Sequence, residues 1–182
     1  MKQSAKTALG GIIAALSVVI MMMTVVPFFI YALPAFAGVL IMLAVIEIDK
    51  KWAFGIYVAV CLVSIFIVPD KEAAVMYIAF FGYYPIVKAL MESKLPRVAE
   101  YLLKFALFNV SVVAAYAVLM KFMGLSLDEM LGISNPSFTK IGLVIMLVLA
   151  NVMFIMYDFC LTKIVTLYLL RWQKRFRQLF KH

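Results

Sequence analysis

From Thr7 to Ile46 the chain runs 40 positions without an Asp, Glu, Lys or Arg, and four further apolar runs follow, divided by short polar interruptions. A bilayer core of roughly 30 Å takes about 20 apolar residues as one helix, at about 1.5 Å per residue. The opening run would measure about 60 Å as a single helix, so it must fold back. Its natural break is Val25-Val26-Pro27, because proline disfavours helix at its predecessor and suits a first helical turn. The pattern therefore predicts six transmembrane helices, at Ala8–Val25, Phe28–Ile46, Trp52–Val68, Ala73–Met91, Val98–Met120 and Thr139–Leu170. The expected fold class is an all-α integral membrane protein, one six-helix domain over residues 1–182 with a basic tail from Arg171 to His182.

Six crossings put both termini on one side, and the cations say which. Grouping the two ends, the second–third loop and the fourth–fifth loop with their flanking span ends collects 14 of the 17 Lys and Arg residues. Only Lys71, Lys121 and Lys140 fall on the other side. The positive-inside rule then predicts cytoplasmic termini. The stretch from Arg171 to Lys181 mixes Arg and Lys with Trp172, Phe176 and Phe180, a composition suited to a headgroup layer with anionic lipid. A topology anchor and a specific lipid or partner dock are both open for it.

Composition narrows the function classes. Apolar residues make up 67% of the chain and charged ones 14%, against about 45–50% apolar in soluble domains, which excludes a soluble enzyme. Lys2 and Lys6 ahead of an apolar stretch imitate a signal peptide, but a signal core is only about 7–15 residues. Two distant cysteines, Cys61 and Cys160, form neither a disulfide framework nor a CxxC motif, and His182 is the sole histidine. The net charge of +8 flanks spans instead of forming a stripe, so nucleic acid is not an expected partner. No Walker A, HExxH or GxSxG motif is present, and no enzyme activity, metal or cofactor is expected.

Several residues stand out within this frame. Gly10, Gly11, Ala14 and Ala15 give two small-xxx-small pairs on the first helix, which either pack within the chain or dock another membrane protein. Asn109 and Asn151 lie near the middles of the fifth and sixth spans and should face inward, as helix glue or as ligand contacts. Asp158 sits deep in the sixth span, where a charge costs roughly 2.5–3.5 kcal/mol and demands a partner. Lys163 is the local candidate for an intramembrane ion pair, with Lys88 and Lys104 as tertiary ones. Pro85 and Pro34 should kink the fourth and second spans. Phe28, Phe29, Tyr31, Tyr77, Tyr116 and Phe138 line an outer pocket or belong to the interfacial belt. The loop from Gly124 to Ser137, with Asp128 and Glu129, is long enough to cover a pocket.

The length, the six spans, the cytoplasmic ends and the Gly10/Gly11/Ala14/Ala15 face together resemble the substrate-binding S components of energy-coupling-factor transporters. That family carries an alanine-rich face on its first helix; here glycine replaces the first alanine. The resemblance implies capture of a small nutrient or vitamin-like molecule from outside. It also implies docking through the first helix to a membrane coupling subunit powered by cytoplasmic ATPases. Asn109, Asn151 and Tyr116 are the expected ligand contacts. The rod-shape-determining protein D family has similar size and span count, and implies a non-transport scaffold of the cell envelope instead.

Overall fold

A computed structural model describes residues 2–26, 29–124 and 136–172, and all regular structure among them is helical. The helices are α1 (Gln3–Met22), α2 (Ala32–Glu47), α3 (Lys50–Ile67), α4 (Lys71–Met76), α5 (Tyr84–Lys94), α6 (Arg97–Met123) and α7 (Pro136–Leu167). A 3₁₀ turn, Met23–Val25, follows α1; a π-helical turn, Tyr77–Phe81, joins α4 to α5; another, Tyr168–Trp172, extends α7.

Polar residues punctuate the apolar runs. The Asp49 carboxylate accepts the Lys50 N–H at the start of α3, and Asp70 accepts the Ala73 N–H (2.8 Å) at the start of α4. Lys71 turns back to donate to the Ile65 and Val68 carbonyls (3.0 and 3.1 Å), satisfying acceptors at the end of α3. Pro96 precedes α6, and Gly124 closes it in the left-handed conformation (φ 66°) that a side chain disfavours.

Cross-helix contacts give the running direction of each helix. Gly10 of α1 meets Ile56 of α3, and Met21 meets Ser64, so these two run parallel with α2 returning between them. Tyr31 reaches Glu72 while Lys50 reaches Ala89, so α2 runs parallel to the α4–α5 stroke. Lys104 meets Glu92 and Ser111 meets Tyr83, so α6 returns; Asn109 pairs with Asn151 and Lys104 with Asp158, so α7 reverses again. Six alternating strokes result. One end gathers residues 2–7, 47–51, 91–97 and the last turns of α7, and with them most described lysines and arginines: the basic end.

Five strokes are long and apolar enough to cross a membrane: Gln3–Val25, Lys50–Ile67, Lys71–Lys94, Arg97–Phe122 and Ile141–Arg171. The stroke from Ala32 to Glu47 is also apolar but has only 16 residues. It starts four residues later than the sequence pattern suggests. That shift corrects the expected kink at Pro34, which falls in the first turn of α2, where a helix needs no backbone donor. Near the break expected at Pro27, the helix gives way to the 3₁₀ turn and then to an extended Val26; Pro27 and Phe28 lie outside the described residues.

The fourth stroke does bend, and Pro85 is one cause. It lacks the N–H that would bond to the Phe81 carbonyl, and the π-helical turn before it exposes the Ile78 carbonyl, which accepts the Tyr57 hydroxyl (2.8 Å). The Phe81 carbonyl presses against Gly38 of α2, where a Cβ would collide with it. The interior is filled around this bend. Aliphatic side chains such as Ile13, Ile41, Ile56 and Val60 pack α1, α2 and α3 together. Phe80, Tyr84, Phe108 and Phe154 fill the space among the fourth, fifth and sixth strokes, with Phe108 stacked on Phe154 at 4.7 Å.

Candidate functional site

Four polar or small-residue features emerge from this packing. The most charged lies toward the basic end. Lys88 on α5 and Lys104 on α6 are only 1% and 2% exposed. Lys88 Nζ lies 2.5 Å from Asp158, 2.7 Å from Glu92 and 2.9 Å from the Thr162 hydroxyl. Lys104 Nζ lies 2.6 Å from Glu100, 3.0 Å from Glu92 and 3.4 Å from Asp158. The Tyr84 hydroxyl donates to Asp158 at 2.6 Å. Two cations thus meet three carboxylates and bind α5, α6 and α7 at one level.

This corrects the expected pairing of Asp158 with Lys163. Five residues turn a helix through about 500°, which carries Lys163 well off the face of Asp158. Lys163 is exposed and its ammonium lies 5.2 Å from the Phe159 ring centroid. Asp158 faces inward and takes the two tertiary candidates, Lys88 and Lys104, instead. Glu92 and Glu100 were missed, although Lys88/Glu92 and Glu100/Lys104 carry the i,i+4 spacing that marks helix ion pairs.

Midway along the bundle, Asn109 and Asn151 form a reciprocal amide pair, each Nδ2 donating to the other's Oδ1 at 3.0 Å. Each Nδ2 also donates to the carbonyl four residues earlier, Phe105 and Leu147 respectively, at 2.8 Å. All amide donors are therefore used between and within the two helices. Polar contacts between membrane helices average about 0.6 kcal/mol. A double-mutant cycle on Asn109→Leu and Asn151→Leu, read by unfolding in detergent, should return a coupling of about that size and at most about 1.7 kcal/mol.

At the end opposite the basic one, Tyr31 donates its hydroxyl proton to Glu72 and lies 3.1 Å from the Tyr116 hydroxyl. The start of α2, the start of α4 and the last turns of α6 meet there. Of the residues expected around an outer pocket, Tyr31 and Tyr116 come together, whereas Tyr77 is fully buried in the core and Phe29 is exposed. Phe28 and the loop with Asp128 and Glu129 lie outside the described residues, as does the tail beyond Trp172. Nothing is described of the Phe138 side chain.

The small residues of α1 divide. Gly10 is buried, with Ile56 so near that a Cβ would stand 3.2 Å from its methyl, so it serves internal packing while also bordering a groove between α1 and α3. Ala14 is half-buried beside the same core. Gly11 and Ala15 are exposed. Gly11 joins Thr7 and Ala14 of α1 and Lys51, Gly55 and Ala59 of α3 around an open, almost wholly apolar groove of about 480 Å³. A Cβ on Gly11 or Gly55 would meet nothing within 4 Å. The α3 half of the groove was not anticipated; the Gly55/Ala59 small pair was its signal.

Among the described residues no group of three His, Cys, Asp or Glu side chains converges as metal ligands would. No family model, curated protein or solved structure matches this chain.

Proposed function

We propose that the chain is a multi-pass protein of the bacterial plasma membrane with both ends in the cytoplasm, acting through binding and not through catalysis. The alternating strokes support this, since they collect the basic residues at one end, as the positive-inside rule requires of a cytoplasmic face. Within that frame we read it as a substrate-binding subunit resembling an energy-coupling-factor S component. It would capture a small molecule at the outer end and dock a coupling subunit, with its cytoplasmic ATPases, through α1.

The observation that carries this reading is the groove between α1 and α3. Between apolar helices in lipid there is little hydrophobic drive, so a surface that lets backbones approach closely is what favours association. Gly11 and Gly55 supply such a surface and are not filled by the chain's own side chains. A second reading, a non-transport scaffold like the rod-shape-determining protein D family, is favoured by the aromatic filling of the interior and by the mutual saturation of Asn109 and Asn151.

Co-purification from native membranes followed by mass spectrometry separates them. Recovery of a membrane coupling subunit with ATPases supports the first reading, and recovery of envelope machinery the second. Gly11→Leu should abolish the partner's recovery without destabilising the chain itself, since the new side chain enters open space on a helix. Partner recovery unaffected by Gly11→Leu would remove the groove from the account.

A further inference from the structure

The contact of Tyr31, Glu72 and Tyr116 is a small polar cluster at the outer end whose proton inventory can be followed atom by atom. A phenol has one proton. That of Tyr31 goes to Glu72, and Tyr116, 3.1 Å from the Tyr31 oxygen and also hydrogen-bonded to Glu72, spends its own within the cluster. Both donors are then used. What remains is acceptor capacity alone: the lone pairs of the Glu72 carboxylate that the two phenols leave free, and those on the Tyr116 oxygen.

Glu72 also brings a carboxylate to the cluster, with no cation against it among the described residues. No described Lys or Arg makes an ion pair with Glu72. Its neighbour Lys71 is turned the other way, onto the Ile65 and Val68 carbonyls. The cluster is reachable, since Tyr31 is 42% exposed and Glu72 and Tyr116 are half-buried. Three separate helix ends hold it, so its geometry is fixed by the fold and not by one flexible side chain.

We propose that Tyr31, Glu72 and Tyr116 form a recognition site for the protonated amine of a small cationic ligand. An acceptor-only, anionic site rejects carboxylates and phosphates and selects a group that brings both positive charge and N–H donors. The ammonium donates to the remaining lone pairs of Glu72 and Tyr116, while the Tyr31 hydroxyl holds the carboxylate in place. This deepens the substrate-capture reading, on which it rests, by naming the class of substrate.

The test uses the full chain in lipid nanodiscs, with ethylammonium as probe and tetramethylammonium and acetate as controls, followed by saturation-transfer NMR. Tetramethylammonium has the same charge and no N–H. Ethylammonium should bind saturably and more tightly than tetramethylammonium, and acetate should not bind. Glu72→Gln should weaken ethylammonium by about tenfold or more, the size expected for a charged hydrogen bond. Tyr116→Phe should weaken it severalfold. Absence of ethylammonium binding, equal binding of tetramethylammonium, or unchanged affinity in Glu72→Gln would overturn the proposal. Should Glu72→Gln fail to fold, unchanged affinity in Tyr116→Phe overturns it alone. Amine binding by a chain that recovers no ATPase partners keeps this site and removes the S-component reading; partner recovery without amine binding does the reverse.

Discussion

Asp158→Ala should destabilise the bundle by about 1–3 kcal/mol, the cost of leaving buried hydrogen-bonding groups without their acceptor. The change leaves Lys88, 1% exposed, with Glu92 and Thr162 only, and deprives the Tyr84 hydroxyl of its acceptor. Lys163→Ala should do almost nothing, within about 0.5 kcal/mol, because that side chain is an exposed one. Replacing Asp158 and Lys88 together by leucine and methionine should recover much of the loss, since apolar substitutes of similar volume avoid the desolvation that an ion pair must overcome. Chemical unfolding in detergent micelles reads all three. Equal effects of Asp158→Ala and Lys163→Ala would remove the charge network from the account.

The second large effect is a sign reversal between two glycines. Gly38→Ala should cost about 3 kcal/mol, at the upper end of overpacking, because the new methyl meets a backbone carbonyl that cannot swing away. The Phe81 carbonyl that it meets is held there by the Pro85 bend and the π-helical turn. Gly55→Ala should instead stabilise by about 0.4–1 kcal/mol, since its Cβ enters open space and the unfolded chain loses freedom. Thermal unfolding of the two variants side by side checks this. A loss in both would mean that the groove is closed by something this structure does not contain.

How much of this was legible in the sequence depends on the kind of signal. Run length and cation position are local properties, so the helix bounds of the third to sixth strokes fell within a few residues of the expected ones. The alternation of strokes followed from counting. The second stroke was overextended because Phe29 to Tyr31 are as apolar as a span, and hydropathy alone does not separate a span from an apolar turn.

Side-chain partnerships were harder, because partners lie far apart along the chain. Asp158 was recognisable as a residue needing a cation, but choosing Lys163 over Lys88 and Lys104 required knowing which face of α7 turns inward. Glu72 was passed over, since a single acid beside Lys71 reads as a helix start; only the fold brings Tyr31 and Tyr116 to it. Gly10 and Gly11 are identical in sequence terms, and their 100° separation around α1 packs one against Ile56 and leaves the other open, although both border the groove.

The orientation of the bundle is tested most directly by labelling single cysteines in intact cells with a membrane-impermeant maleimide. The background carries Cys61→Ala and Cys160→Ala, and the probes are Pro69→Cys, between α3 and α4, and Ser93→Cys, at the end of α5; both positions are exposed. Position 69 should label from outside, and position 93 only after the cells are permeabilised. Labelling of position 93 in intact cells, with position 69 protected, would contradict the proposed orientation, on which the proposed amine site at the outer end depends.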